Sequence, residues 1–454
     1  MTSRSRWTLG VVCAATAVLL LDVTVVNVAL PAIQEDLGAS FSDLQWVIDA
    51  YALTLAVTLL SAGSLADRLG RRRVFGAGVT LFTAASLLCA LAGTPLLLDL
   101  ARGLQGIGAA AMFATSLAIL AHEFQGSSRG RALGIWGAVS GAALAIGPLI
   151  GGALVDGLGW QWIFWLNLPV GAALWTATRL RLRESSDPDP APIDLPGLAT
   201  SGAGSFLLLV ALIRGNDEGW GSPQIVAALA AAALLLAGFV AVELRRPRPM
   251  LDVRLFRDRA FAMTATVSFV QSVAIYPMFL FLALYFQDVL DLTPFETGLR
   301  LLPVTLALFV LAPIAGSLTG RVPLRTLLAT GLGLIGAGLL LMRGLDPGDD
   351  FEALLAGFIV GGAGIGVISP ALAAAMVGVF PVERSGLSSG INNTFRQLGI
   401  ASGIAGFGAI FQPRLAADGF VAGLDEIFLV GGLLALAGAL ATALVLRPDD
   451  FRTA

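Results

Sequence analysis

An aspartate inside an apolar run must hold a proton, meet a cation or face water. Asp22 stands in Leu21-Asp22-Val23-Thr24-Val25-Val26-Asn27, inside a stretch long enough to cross a bilayer, where an isolated carboxylate costs several kcal/mol. Two readings are open. Asp22 is either a structural acid held by neighbouring helices or a proton-binding carboxylate in a central cavity. At about 1.5 Å per residue it lies about 21 Å from the inner boundary and about 9 Å below the outer one of a core about 30 Å thick. Arg102 enters from the opposite side and also reaches about 9 Å below the outer face. The two charges can therefore share a layer, and Arg102 would favour the charged form of a nearby carboxylate. Asp99, three residues from Arg102, is a second partner for it. Asp49, about 7–8 Å down from the same face, could attract a cationic substrate, share the proton or line a wet vestibule. Asn27 and Gln105 are further candidates for cavity or substrate contact. In the later half, Asn392-Asn393-Thr394-Phe395-Arg396-Gln397 places Asn393 and Arg396 near mid-membrane. An arginine there cannot snorkel, so Arg396 either anchors a helix seam or touches substrate or gate. Arg300 lies shallowly. His122, the sole histidine, sits beside Glu123 at a span end and reads as interfacial.

Other chemistry is excluded by what is missing. All 28 basic residues are arginine, so Gly362-Ala363-Gly364-Ile365-Gly366 lacks the lysine and the strand-to-helix turn of a nucleotide loop. One histidine and two apolar-run cysteines, Cys13 and Cys89, offer neither a metal set nor a catalytic triad nor a disulfide framework. The chain reads as no enzyme and as needing no cofactor. Its arginines serve topology and contact with anionic membrane lipids rather than nucleic acid.

The elements that position these residues follow from composition. The 454 residues are 56% hydrophobic and 13% charged, with a mean hydropathy of +0.84, against about 25% charge in soluble proteins. Fourteen spans are predicted, at 8–30, 44–65, 74–92, 96–121, 132–155, 161–178, 197–215, 223–243, 260–286, 297–318, 323–342, 351–374, 386–411 and 427–446. The first is too long for a cleaved signal peptide and runs straight into the second. With the N-terminus inside, 22 arginines fall in inner segments and 3 in outer loops. That asymmetry fails if a middle span is removed. The expected fold is therefore an all-α polytopic membrane protein with 14 transmembrane helices and both termini cytoplasmic. The longest inner loops, rich in Pro with Asp or Arg, flank spans seven and eight and read as linkers. They divide the chain into an N-terminal six-helix bundle (1–183), linkers and a central two-helix hairpin (184–259), and a C-terminal six-helix bundle (260–454). Ala62-Gly63-Ser64-Leu65 and Ala315-Gly316-Ser317-Leu318 close the second helix of each bundle, a weak internal repeat. Span five carries Gly137 and Gly141, then Gly147-Pro148-Leu149-Ile150-Gly151-Gly152. The first pair suits close helix packing, and the second cluster suits a helix that bends and changes contacts.

These residues carry a resemblance to the fourteen-span drug:proton antiporters of the major facilitator superfamily, over essentially the whole chain. Leu21-Asp22-Val23-Thr24-Val25-Val26-Asn27-Val28-Ala29-Leu30-Pro31 resembles the first-helix motif, whose aspartate is implicated in proton coupling. Gly63-Ser64-Leu65-Ala66-Asp67-Arg68-Leu69-Gly70-Arg71-Arg72-Arg73 is similar to the loop signature that gates the cytoplasmic side, which assigns that role to Gly63, Asp67, Arg68, Gly70 and Arg71. Arg102-Gly103-Leu104-Gln105-Gly106 resembles the fourth-helix motif linked to proton transfer. Gly147, Pro148, Gly151 and Gly152 match the fifth-helix antiporter motif. Trp160-Gln161-Trp162-Ile163-Phe164-Trp165-Leu166-Asn167-Leu168-Pro169 resembles the start of span six, with Gln161 where the family usually has arginine.

The resemblance implies alternating access in a bacterial inner (cytoplasmic) membrane, with Asp22 and Arg102 coupling protons to export of a small lipophilic solute, driven by the proton gradient in a protein working as a monomer. Multidrug or antibiotic efflux is the leading expectation. A dedicated exporter of one native metabolite, lipid or peptide product is the alternative, and a proton-coupled importer a more distant one.

Overall fold

The computed structural model describes residues 3–39, 41–125, 127–186, 194–246, 249, 251–345, 351–379, 385–447 and 450–451. Their regular structure is helical throughout. In chain order the α-helices are α1 (Ser3–Leu37), α2 (Phe41–Leu69), α3 (Arg71–Ala90), α4 (Pro95–Glu123), α5 (Ser127–Leu158), α6 (Trp162–Trp165), α7 (Asn167–Arg181) and α8 (Leu195–Glu218). Then come α9 (Pro223–Arg245), α10 (Arg259–Leu284), α11 (Pro294–Arg300), α12 (Leu302–Leu318), α13 (Leu324–Leu341), α14 (Glu352–Val379), α15 (Ser385–Asp418) and α16 (Phe420–Val445). A 3-10 turn, Val253–Arg257, precedes α10, and a π turn, Tyr285–Val289, follows it.

Among the described residues, nine helices are long and apolar enough to cross a membrane, and up to eleven if bent pairs count as single spans. The chain is an all-α polytopic membrane protein. The predicted sixth span falls on α6 and α7, and the tenth on α11 and α12. The second break is chemical: Pro303 sits in the first turn of α12 and lacks the amide that would continue α11. α11 itself starts on a capping box, in which Thr293 and Glu296 satisfy each other's backbone donors.

Lipid-facing leucines such as Leu180, Leu234 and Leu444 are more than two-thirds exposed, as expected where hydrocarbon rather than water is the solvent. α9 is the extreme case. Its buried apolar residues, Ile225, Ala232 and Phe239, recur every seven positions, so it offers one seam to α8 and the rest to lipid.

α1 packs on α4 and α5, α2 and α3 pack on α4, and α7 packs on α3. In the later part α10 packs on α15 and α16, α13 on α14 and α16, and α12 on α14. The two groups meet where α5 lies along α12 and where α15 lies against α2 and α4. The α5–α12 seam is close enough to exclude side chains. A Cβ on Gly134 would lie 2.6 Å from the Ala312 carbonyl oxygen, and one on Gly130 would strike the Gly316 carbonyl. Gly316 belongs to the repeated tetrad noted in the sequence. α8 touches both groups, through α2 and α15, and Asn216 donates to the Ala405 carbonyl at 2.9 Å.

Candidate functional site

Five helices converge on Asp22. Thr94 caps α4, accepting from the Leu97 amide at 3.3 Å, and Pro95 starts the helix, which sets Arg102 about two turns in and Gln105 on the same face. Arg102 Nη1 donates to Asp22 Oδ2 at 2.5 Å. Gln105 Nε2 and Asn167 Nδ2 both donate to Asp22 Oδ1, at 2.9 and 3.0 Å. Arg102 also donates to the Val47 carbonyl at 3.0 Å and to Gln105 Oε1 at 2.6 Å. Its guanidinium lies 4.3 Å from the centre of the Tyr51 ring. Ser86 Oγ accepts from Gln105 and Asn167 at 2.8 and 3.3 Å and donates to the Phe82 carbonyl at 2.8 Å. Asp22 is 5% exposed and Arg102 2%.

This geometry holds a carboxylate. Three donors converge on Asp22, and its charge is matched by Arg102, the arrangement that lets a buried ion pair persist. A proton added to Asp22 would set an O–H against an N–H donor, so at least one partner would have to leave.

The shared layer expected of Asp22 and Arg102 is present. Of the two surroundings left open for Asp22, the structure has its side chain facing the interior of the helix group, held by neighbouring helices, and not an open chamber. Arg102, almost fully buried, needs a counter-charge, and α1 is turned to supply it. Asn27, five residues and about 140° further round α1, is exposed. Gln105, expected on a cavity wall, is fully buried and serves the Asp22 node. Asp99 does not form the expected pair with Arg102: its Oδ1 is buried without a hydrogen-bond partner.

The remaining candidates lie apart from this node. Asp49 is half-buried on α2. Arg396 of α15 stands over Phe113 of α4, 5.2 Å from the ring centre, so it spans the seam between the two helix groups. Asn393, one turn earlier, is buried. Arg300 sits over Phe351 at 4.9 Å. Gly147 and Gly151 of α5 lie against α1: a Cβ on Gly147 would strike Thr24, and one on Gly151 would lie 3.2 Å from Val25 Cα. Thr24 is two residues from Asp22. A Cβ on Gly152 would meet nothing within 4 Å, and the Pro148 side chain lies outside the described residues.

The loop between α2 and α3 is strapped shut. Asp67 Oδ1 accepts from Arg71 Nε and Nη2 at 3.1 and 2.9 Å, and Arg71 is almost wholly buried. Gly70 has φ +106°, a conformation that L side chains rarely adopt. Gly63 is buried in α2, whereas Arg68 is exposed. Glu184, beyond α7, accepts from the Arg72 and Ser185 amides at 3.0 and 3.1 Å. At the C-terminal end of α1, Gln161 donates to Asp36 at 3.1 Å beside Trp160, which donates to the same oxygen at 2.9 Å. The glutamine thus keeps a contact at the position where arginine was expected.

Asn167, Ser86, Tyr51 and Glu184 were not singled out from the sequence. Asn167 had a signal, an amide inside an apolar motif; a serine and a tyrosine in membrane helices, and a glutamate among loop charges, had none.

The sequence profile of the Major Facilitator Superfamily matches residues 12–404. The chain is 37% identical over 401 residues to the multidrug resistance protein Stp of Mycobacterium tuberculosis, covering 88% of this chain and 74% of that protein. It is 36% identical over 462 residues to the puromycin resistance protein pur8 of Streptomyces alboniger, covering 97% and 92%. The fold is similar to that of the human organic anion transporter MFSD10 (TETRAN), with a TM-score of 0.70 at 14% identity, over 97% of this chain and 100% of that one. Profile, relatives and helix order agree, and the chain belongs to the Major Facilitator Superfamily, whose members are membrane carriers and not enzymes.

Proposed function

We propose that this carrier expels lipophilic drugs or antibiotics across the bacterial inner membrane in exchange for protons. The observation that carries the reading is the sealed Asp22–Arg102 pair, set beside the contact of α1 with α5. In this reading the chain has fourteen spans with both termini cytoplasmic, as two six-helix bundles (1–183 and 260–454) joined through the central pair (184–259). The arginine asymmetry and the order of the helices among the described residues support it. The node is complete within one chain, which supports a monomer as the working unit, with the proton gradient as energy source and no cofactor.

A proton arriving from outside neutralises Asp22 and displaces Arg102. The freed guanidinium keeps the Val47 carbonyl, Gln105 Oε1 and the Tyr51 ring, so it stays ordered while α1 loses its ionic tether and is held at Asp22 only by the neutral donors Gln105 and Asn167. α1 then shifts against Gly147 and Gly151, and the bundles rock. Release of the proton inside restores the pair. Asn27, Asp49, Asn393 and Arg396 are the proposed contacts of the moving solute. The loop of Gly63, Asp67, Arg68, Gly70 and Arg71 is the proposed cytoplasmic gate. One charge crossing the membrane supplies about 2.3 kcal/mol per 100 mV, enough for about 50-fold concentration of a neutral solute.

The test is accumulation of a varied compound panel in a pump-deleted host, with and without an uncoupler. Lower accumulation of several unrelated lipophilic compounds, abolished by the uncoupler, is the expected result. Protection confined to one scaffold would favour the dedicated exporter, a reading suggested by single-antibiotic relatives such as the puromycin resistance protein. Raised accumulation on energisation would overturn export altogether.

A further inference from the structure

The central helices carry buried charges that the transport cycle does not use. Asp194, just before α8, accepts through Oδ1 from the Gly197 amide at 2.9 Å and from Arg246 Nη2 at 3.1 Å. Glu243, in the last turn of α9, accepts through Oε2 from the Leu251 amide at 3.0 Å. Each carboxyl has one oxygen left over. Asp194 Oδ2 and Glu243 Oε1 are buried without a donor, in residues that are each 2% exposed. These two oxygens crowd the same point: a Cβ on Gly197 would lie 2.7 Å from Glu243 Oε1 and 2.8 Å from Asp194 Oδ2. The two oxygens are therefore at most about 5.5 Å apart.

Two carboxylate oxygens are both acceptors, so facing each other in a dry site they repel unless a hydrogen lies between them. Charge counting agrees. Asp194, Glu243 and Arg246 together carry one excess negative charge, and one proton makes the buried group neutral. A metal ion fits less well. Arg246 already occupies Asp194, and among the described residues there is no group of three or more metal-ligating side chains.

We infer that Asp194 and Glu243 jointly bind one proton, at a site distinct from Asp22, and that this proton latches the central helix pair to the second helix group. The latch runs through Leu251, whose amide Glu243 holds. Its side chain belongs to one buried apolar cluster with Phe239 of α9, Phe261 and Ala265 of α10, Met376 of α14 and Ile391 of α15. The charges acting on Glu243 are those of Asp194 and Arg246. Arg254, on the 3-10 turn packed against α9, donates instead to the Leu244 carbonyl at 3.4 Å, and α10, α14 and α15 contribute apolar residues to the cluster. With the proton bound, the latch is closed. As pH rises and the proton leaves, like charges push Glu243 off Asp194, and the Leu251 amide is released.

The proposal rests on the membrane topology above only for the side it faces, and its test needs no transport. Hydrogen exchange at the Leu251 amide would be followed in the full-length protein in nanodiscs, corrected for the intrinsic pH dependence of exchange. In the wild type, protection should fall with rising pH, by up to about tenfold per pH unit past the titration point. Glu243→Gln should stay protected with no pH dependence, because the carboxamide donates to Asp194 without a proton and still accepts from Leu251. Asp22→Asn should titrate like the wild type. Wild-type protection that is flat with pH would overturn the inference, as would a Glu243→Gln variant that titrates like the wild type.

Discussion

Asp22→Asn exchanges one oxygen for an amino group at nearly constant volume. Its neighbours dictate how the new side chain sits. Oδ1 accepts from both Gln105 and Asn167, so the carboxamide keeps its oxygen there and turns its NH2 toward Arg102, donor against donor. A guanidinium 2% exposed then keeps only the Val47 carbonyl, Gln105 and the Tyr51 face. Removing one partner of a buried pair costs about 3–5 kcal/mol. Arg102→Gln should cost less, about 1–3 kcal/mol, because Asp22 keeps two amide donors and can take up a proton. With both replaced, no charge is stranded, and the double variant should be more stable than the sum of the singles predicts by about 2–3 kcal/mol. Reversible unfolding in detergent micelles measures this cycle. Transport in vesicles supplies the functional arm: Asp22→Asn should still equilibrate substrate but lose the uphill ratio of about 50-fold per 100 mV. Single losses that add within about 0.5 kcal/mol would refute the claim that these charges bear on each other. Uphill efflux that survives in Asp22→Asn vesicles at normal protein levels would refute the coupling role.

Two further outcomes are expected. Gly147→Ala drives a methyl into Thr24 and should cost about 1–3 kcal/mol together with most of the transport rate. Thr24→Gly should restore both, and a Gly147→Ala carrier of normal stability and rate would contradict the close approach of α1 and α5. At the start of α10, Arg259 grips Asp450 with Nη2 2.6 Å from Oδ1. Burial alone would raise the Asp450 carboxyl, but the hydrogen bonds from Arg259 and the Arg447 amide, with the charges of both arginines, hold it below the ordinary range. The grip is therefore complete above the unfolded value of about 3.9 and is lost as pH falls through the lower folded one. A spin label beside Asp450 should stay immobile at about pH 5 and become mobile at neutral pH in Arg259→Gln. Release in the wild type at or above the ordinary carboxylate range would reverse the sign of this argument.

Depth was legible in the sequence, and direction was not. Counting residues at a fixed rise brought Asp22 and Arg102 into one layer although they lie 80 positions apart. The side of α1 that holds Asp22 could not be read, because that helix is apolar on all sides and shows no stripe. Asn167 and Ser86 reach the node from α7 and α3 through packing that no local spacing encodes. The same limit applies to Asp194 and Glu243: each closes a helix end in an unremarkable way, and only the pairing of α8 with α9 brings their spare oxygens together. Glycine was partly legible. The fifth-span cluster was expected to let a helix change contacts, whereas the neighbour it meets, α1 at Gly147 and Gly151, depends on the three-dimensional arrangement, and Gly130, pressed on α12, was not singled out.

α5 is pressed backbone-to-backbone on α12 near Gly130 and against the Thr24 side chain of α1 at Gly147, two footings about 26 Å apart along one rod. With no side chain between the surfaces at the first footing to cushion it, a tilt imposed there arrives at the second as sideways travel against Thr24. The fulcrum is thus bare peptide, and the stroke delivered next to Asp22 is set by the length of a helix and received by one threonine.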